Sequence, residues 1–267
     1  MKPLLDVNLP TELEEYRSQI ETTIKSYIKI TAKPENNLTP WQSKFGGTPY
    51  FPKGQQYPKD SKGKPLFLLA QINFAELPRL EPFPPHGILQ FYIADNDLYG
   101  LQFEDMIKQE NFRICYFSEI FKDAGRLVTD FSFLPSSTFL PVSRQCSLAF
   151  ELNQQPISAY DYQFEANIFN NRNFPEPREN FYEFLDNYEK LFRADGHKLG
   201  GYPYFTQSDP RWNEKYKSMD LKLLLQVDTD SNANIMWGDA GVANFFIMES
   251  DLKKSVFSEV MYNWDCC

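Results

Sequence analysis

The chain has 267 residues, of which 42% are hydrophobic and 16% aromatic, so it can bury a sizeable core and is not expected to be disordered. Its net charge of −9 disfavours nucleic acid and anionic membrane surfaces as partners, because a protein this acidic repels both. The apolar runs are too short to span a bilayer and the first residues do not resemble a signal peptide, so we expect a cytoplasmic protein.

Two helices are predicted, one near the N-terminus and one in the second part of the chain. Thr11 and Glu14 have the spacing of a capping box, and apolar residues recur at helical intervals as far as Tyr27. A second helix is predicted to begin at Pro177, and Gly196 is expected to close it. Both apolar stripes indicate a helix face packed on a sheet.

Most other segments predict strands. They are short, rich in β-branched and aromatic residues, and bounded by Asp, Asn, Pro or Gly. The clearest are ILQFYIA (88–94), NFRICYF (111–117), CSLAFEL (146–152) and ANFFIM (243–248). We therefore predict a β-dominated α+β fold with small antiparallel sheets.

Several segments occur twice, at a nearly constant interval. The pairs are SKFGGTPYF (43–51) with HKLGGYPYF (197–205), GILQFYI (87–93) with GVANFFI (241–247), and LFLLAQINF (66–74) with LKLLLQVDT (221–229). The first two pairs are 154 residues apart and the third is 155 apart. Separated matches at one interval predict an internal duplication, with two related helix-plus-sheet halves packed about an approximate two-fold axis.

The repeat also predicts how the chain is divided. Residues 1–135 form the first half, 136–177 a connecting insert without a counterpart, and 178–267 the second half. The three parts are expected to form one compact unit.

Cysteine usage agrees with a reducing compartment. Cys115 and Cys146 stand alone, whereas Cys266 and Cys267 are adjacent. No CxxC pair or disulfide spacing occurs, so four free thiols are expected.

The repeated Gly-Gly pair has a structural and a functional interpretation. Gly200 and Gly201, like their first-half counterparts, precede a predicted strand and permit a tight turn. They could instead offer amide groups to an anion, with Lys44 or Lys198 nearby. No phosphate-binding motif surrounds them, so the structural turn is favoured.

The second-half strand carries a glutamine and leads into an acidic loop. Gln226 lies among apolar residues and needs hydrogen-bonding partners, which we expect on a backbone edge between the halves. In DTDSNANIMWGD (228–239), carboxylates occupy positions 1, 3 and 12 of a calcium-loop pattern: Asp228, Asp230 and Asp239. Ala233 stands where that loop needs glycine, so an acidic hairpin loop is favoured, with bound Ca²⁺ or Mg²⁺ as the alternative.

The segment 197–211 contains the candidate catalytic residues His197, Asp209 and Arg211. A histidine with a downstream carboxylate is a weak pattern for acid–base chemistry, and a turn held by an Asp–Arg pair is favoured. No serine or cysteine lies in a nucleophile elbow. The chain has only two histidines, which is too few for a histidine-rich zinc site.

The strings GHKLGGYPYFTQSDPR, LLLQVDTD and MWGDAGVANFFI, with KFGGTPYFP, LLAQINFAELP and GILQFYIADND, resemble the YwqG-like family of bacterial proteins. The function of that family is unknown. The resemblance covers nearly the whole chain and implies a bacterial cytosolic protein with a β-rich, roll-like fold. It places the family signature on His197, Gly200, Gly201, Gln207, Asp209, Pro210, Arg211, Gln226, Asp228, Trp237, Gly238, Asp239 and Gly241, and in the first half on Gly46, Gly47, Pro49, Gln71 and Gly87.

Candidate polar residues occur mainly in the second copy, so any site is expected there, near the junction of the halves. We predict a non-enzymatic binding or interaction protein, a monomer or weak dimer with a protein partner and no required cofactor. Its candidate binding residues are Gln207, Gln226, Trp237, Gly200 and Gly201. The alternative is a hydrolase or transferase that uses a divalent metal at the three aspartates of 228–239, with His197 as proton carrier.

Overall fold

A computed structural model describes residues 7–137, 139–169 and 178–267. Its main feature is one antiparallel sheet with the order β10-β9-β8-β7-β1-β6-β2-β3-β4-β5. The strands are β1 (Lys25–Pro34), β2 (Lys44–Phe45), β3 (Phe67–Asn73), β4 (Ile88–Ile93), β5 (Phe112–Phe117), β6 (Cys146–Gln155), β7 (His197–Gly200), β8 (Leu221–Asp228), β9 (Val242–Met248) and β10 (Met261–Asp265). The predicted β-dominated antiparallel fold is confirmed, but the prediction of separate small sheets is wrong, because the pairing of β1 with β6 joins all of these strands into one sheet.

The helices of the described residues are short. They are α1 (Thr11–Glu14), α2 (Arg17–Thr22), α3 (Phe164–Phe169), α4 (Arg178–Leu191), α5 (Glu214–Lys217) and α6 (Glu249–Lys253). None of them has the length and apolar character that crossing a membrane requires.

Both predicted helices differ in detail from the observed ones. The first is broken into α1 and α2 and stops before Tyr27, because alternating burial from Lys25 onward places the following residues in a strand. Its N-cap is Pro10, which makes no side-chain cap bond, so the predicted capping box is wrong. The second helix ends well before Gly196, which instead occupies the left-handed region, with φ +83°, just ahead of β7. Pro177 lies outside the described residues.

The sheet is held at its centre by β1 and β6. They pair along ten residues, from Lys25 opposite Gln155 to Pro34 opposite Cys146. The other edge of β1 pairs with β7, and the other edge of β6 pairs with β2. The first strand of the chain therefore lies beside the later strands, and the segment predicted as a connecting insert supplies β6 to the middle of the sheet.

The strands on either side of this centre have matching arrangements. β2-β3-β4-β5 and β7-β8-β9-β10 run outward in the same order, all antiparallel. The register shifts between Leu68 and Ala70 in one set and between Leu223 and Leu225 in the other. Equivalent strands therefore bend at equivalent positions.

The sheet curls so that strands far apart in its order meet. The ring centroids of Phe91 on β4 and Phe245 on β9 are 4.9 Å apart, and those of Phe112 on β5 and Tyr262 on β10 are 5.2 Å apart. These aromatic side chains belong to the main hydrophobic core, which fills the inner face of the curl. A second core lies between the helices and the loop after β7.

The outer edge of β10 is covered by the first part of the chain. The amide of Tyr262 donates to the carbonyl of Met106 at 2.9 Å, and Nε1 of Trp264 donates to the carbonyl of Leu98 at 2.8 Å. An edge strand covered in this way offers fewer free backbone groups to another chain.

A pair of glycine substitutions tests the packing of the Gly-Gly turn. Gly196 and Gly201 both have positive φ, but a Cβ at Gly196 meets no atom within 4 Å, whereas one at Gly201 lies 2.9 Å from Cβ of Tyr27. Gly196→Ala should cost about 1–2 kcal/mol of unfolding free energy from backbone strain alone. Gly201→Ala adds a steric clash, and we expect about 2–5 kcal/mol in urea unfolding. Equal losses for both variants would contradict this packing.

Candidate functional site

A buried glutamine holds each Gly-Gly turn. Oε1 of Gln226 accepts from the amide of Tyr204 at 2.8 Å, and its Nε2 donates to the carbonyls of Ala194 and Gly196 at 2.9 and 2.7 Å. Gln71 does the same in the first half, where it accepts from the amide of Tyr50 and donates to the carbonyls of Pro40 and Gln42. Each glutamine thus binds the loop of its own half, not a backbone edge between the halves.

A buried lysine completes each turn. Nζ of Lys198 donates to the carbonyls of Ala194 and Tyr202 at 2.6 and 3.3 Å and to Oε1 of Gln155 at 3.1 Å. Nζ of Lys44 likewise donates to two backbone carbonyls. Burial lowers the pKa of Lys198 to about 7 and that of Lys44 to about 8. Because both side chains turn inward, neither is placed to hold an anion at the turn.

His197 has one ring nitrogen in a hydrogen bond and one, Nε2, without a hydrogen-bond partner among the described residues. Its Nδ1 accepts from the amide of Asp228 at 2.9 Å, and its buried Nε2 lies 3.5 Å from Oδ2 of Asp230. Burial lowers the pKa of His197 to about 4, although Asp230 opposes this shift. In the first half, Oγ of Ser43 accepts from the amide of Asn73 at 2.9 Å. The histidine therefore fills the position of a hydrogen-bond acceptor that a serine can also fill.

Two carboxylates of the acidic loop 228–239, those of Asp228 and Asp230, accept hydrogen bonds from backbone amides, whereas Asp239 is exposed. Asp228 accepts from the amides of Gly196 and Thr229, at 2.6 and 2.8 Å. Asp230 accepts from the amide of Asn232 at 2.8 Å. In the described part of the chain, no three His, Cys, Asp or Glu side chains form a group that could hold a metal ion. The contacts of these aspartates therefore give no support to a metal site.

Asp209 and Arg211 belong to a separate buried ion cluster. The guanidinium of Arg211 lies 2.6 Å from Oδ2 of Asp209 and 2.8 Å from Oδ2 of Asp161. The guanidinium also lies over the ring of Phe246, which belongs to a different hydrophobic cluster from Phe45, the residue whose ring contacts His197. Asp161 was not predicted from the sequence, because it comes from a distant segment with no motif around it.

Gln207 and Trp237 contact the last strand of the chain. Nε2 of Gln207 donates to the carbonyl of Cys266 at 2.7 Å, and the backbone amide of Gln207 donates to Oδ2 of Asp265. Trp237 is fully buried, and its ring centroid is 6.1 Å from that of Trp264. Both side chains are thus engaged within the protein.

A cleft of about 460 Å³ lies beside the C-terminal end of α4 and is here named the α4 cleft. Its charged lining consists of Asp186, Glu189, Asp195, Asp228, Lys190 and Arg193. A neighbouring cavity of about 470 Å³ shares Arg193 and Asp195 with it and reaches His197. Of the predicted site residues, Asp228 lines the α4 cleft directly and His197 lies at the adjacent cavity.

Aromatic side chains form part of the wall of the α4 cleft. The rings of Tyr160 and Tyr204 meet edge to face with centroids 5.0 Å apart, and Phe192 also lines the cleft. The hydroxyl of Tyr160 donates to Glu189 at 2.8 Å. Burial raises the pKa of Asp228, although its bonds to backbone amides oppose this. The cleft therefore combines flat apolar surface with oxygen acceptors.

Gln71 and Gln226, each with the loop groups that it binds, are here named the clasps, and replacing either glutamine should destabilise the protein to a similar extent. Gln226→Met and Gln71→Met each remove the bonds of two carbonyls and one amide, and an unsatisfied buried polar group costs about 1–3 kcal/mol. We expect each to lose more than about 3 kcal/mol of unfolding free energy in urea. Gln154→Met, at an exposed position of β6, is the control. A loss no larger than the control's would refute the role of the clasp.

Lys198 should make stability depend on pH. Its ordinary pKa of 10.5 falls to about 7 in the folded protein, so between these values the unfolded chain holds a proton that the folded chain lacks. Stability therefore rises with pH across this window, by at most about 1.4 kcal/mol per pH unit. Lys198→Met should remove this contribution. The difference in unfolding free energy between the wild type and this variant, measured in urea from pH 7 to pH 10, should therefore increase with pH. Parallel curves would contradict the assignment.

Comparison with known proteins identifies a family. No curated protein matches the chain. The sequence model of a family described as a domain of unknown function (DUF1963) matches residues 43–266, which include all strands from β2 to β10. The match therefore contains both glutamines, Gln71 and Gln226, the acidic loop and the whole lining of the α4 cleft. The chain belongs to this family, DUF1963, whose function is unknown.

Proposed function

We propose that this protein is a non-enzymatic binding protein, and that its α4 cleft holds a basic segment of a protein partner. The supporting observation is the lining of the cleft, where four carboxylates face two cations beside three aromatic rings. Guanidinium and ammonium groups bind favourably to carboxylates and to aromatic faces. The overall charge of −9 also accelerates encounter with a basic partner.

Binding is favoured over catalysis because of how the candidate catalytic groups are used. Nδ1 of His197 already accepts a hydrogen bond from the amide of Asp228, and Arg211 is enclosed by two aspartates. A metal-dependent hydrolase would need carboxylates that point to a common centre, whereas Asp228 and Asp230 bond to amides.

We also propose that the chain is an internal duplication, with its halves about a pseudo-two-fold axis. Support comes from hydrogen bonds that recur at the interval of the repeat. Gln71 with Tyr50 corresponds to Gln226 with Tyr204, and Ser43 with Asn73 corresponds to His197 with Asp228. We further propose that the protein is bacterial and cytoplasmic and that it is YwqG-like.

Binding of a fluorescein-labelled peptide of alternating glycine and arginine tests the proposed function. We expect saturable binding by fluorescence anisotropy, weaker at high salt because exposed charges are screened. Asp186→Asn with Asp195→Asn removes two acidic charges from the cleft and frees the cations that they pair with. This double variant should lose roughly tenfold in affinity, equivalent to about 1.4 kcal/mol.

The matched control is Asp97→Asn with Glu119→Gln, which removes the same charge at exposed positions of the first half. It should bind the peptide nearly as well as the wild type. Equal losses in the two double variants would show that only net charge matters and would overturn the α4 cleft as the binding site.

A further inference from the structure

A second cleft, of about 660 Å³, shares no lining residue with the α4 cleft. It lies between the start of β1, at Lys25 and Ser26, and the loop 79–83, and it is named here the β1 cleft. Its volume falls within the range of about 300–1,000 Å³ that is typical of small-molecule sites.

The β1 cleft exists because β7 is shorter than β1. β7 pairs with β1 only from Tyr27 to Ile30, so Lys25 and Ser26 have a strand neighbour on the β6 side alone. On the other side of the sheet, β6 and β2 pair in the way that β1 and β7 do. The position there that matches the β1 cleft lies between residues 141–144 and the loop 234–236. There the chain closes the gap itself, through a bond from the amide of Met236 to the carbonyl of Pro141 and a bridge between Val142 and Ile235.

Cations outnumber carboxylates in the β1 cleft, in contrast to the protein as a whole. The charged residues of its lining are Lys25, Arg79, Lys222, Lys253, Glu81 and Glu249. Arg79 pairs with Glu81 at 2.7 Å, and Lys253 pairs with Glu249. Lys222 pairs with an aspartate that is not in the lining.

Lys25 is the cation best placed to meet a ligand. Within the described part of the chain no carboxylate forms a salt bridge with it, and its Nζ lies 4.0 Å from the centroid of the Tyr202 ring. Lys25 is exposed as a residue, but partial desolvation of its ammonium group lowers its pKa, and the nearby charge of Lys222 lowers it further. An anion between the two ammonium groups would relieve this repulsion.

The floor of the cleft is apolar. Leu80, Phe83, Leu223 and Leu252 all line it and are at most 9% exposed. The backbone of Gly200 completes the floor, where a Cβ would lie 3.1 Å from Cδ2 of Leu80. Apolar surface next to unpaired positive charge suits a molecule with an apolar body and an anionic group.

We propose that the β1 cleft binds a small organic anion. Its carboxylate, sulfonate or phosphate group lies between Lys25 and Lys222, and its apolar body packs against Leu80 and Phe83. This site goes beyond the proposed function, because it takes a ligand of opposite charge at different residues.

Titration with 8-anilinonaphthalene-1-sulfonate and with its neutral analogue N-phenyl-1-naphthylamine tests the proposal by fluorescence. Lys25→Gln with Lys222→Gln should weaken the sulfonate about tenfold and leave the neutral analogue unchanged. Lys29→Gln with Lys33→Gln, at exposed positions of the same β1 strand, removes equal charge outside the cleft and should bind both probes like the wild type. Ser26→Phe should block both probes, because it fills the mouth of the cleft.

Unaltered binding of the neutral analogue also shows that the cleft variant is folded. The proposal is overturned if the sulfonate binds the cleft variant and the control variant equally. It is also overturned if both probes lose affinity together in the cleft variant, or if neither binds the wild type saturably.

Discussion

The pairing of β1 with β6 positions every other strand of the sheet. Each of these two central strands carries four outer strands on its far edge, so separating the pair would divide the sheet into two parts. Ile28, Ile30 and Ala32 of β1 are buried beneath the pairing. β7 covers only four of the ten residues of β1, and this mismatch in strand length opens the β1 cleft. A property of the fold, and not a catalytic motif, therefore determines where this cleft lies.

The glutamines Gln71 and Gln226 are explained by the cost of burying polar groups. A glutamine inside an apolar strand is tolerated only when its amide is fully bonded, and Gln71 and Gln226 meet that condition by gripping their own loops. The clasp also needs glycine next to it, since Gly201 touches Tyr27 too closely for any side chain. Gln71, Gln226 and Gly201 are therefore explained by the turns that they hold, without reference to a substrate.

Local pattern predicted the strands well and their partners poorly. Short apolar and aromatic runs located β4, β5, β6 and β9, and the repeat interval identified matching residues such as Gln71 and Gln226. The segment of β6 was recognisable as a strand, but nothing local indicates that it lies beside β1. Likewise, Asp209 with Arg211 was predicted as a pair, whereas Asp161 joins them only through tertiary packing. The two clefts are invisible in sequence because their walls come from separate segments.

The two clefts lie at opposite ends of β7 and β8. Asp228 ends β8 at the α4 cleft, and Lys222 begins it at the β1 cleft. Along β8, the six-residue interval from Lys222 to Asp228 spans roughly 20 Å. A cation in one cleft and an anion in the other would then attract by about 0.2 kcal/mol at the dielectric of water and about 0.8 kcal/mol at that of a protein surface. This is less than a tenfold effect on affinity, so charge alone couples the two sites weakly. Stronger coupling would require a movement of β7, which the bonds of Lys198 and Gln226 oppose.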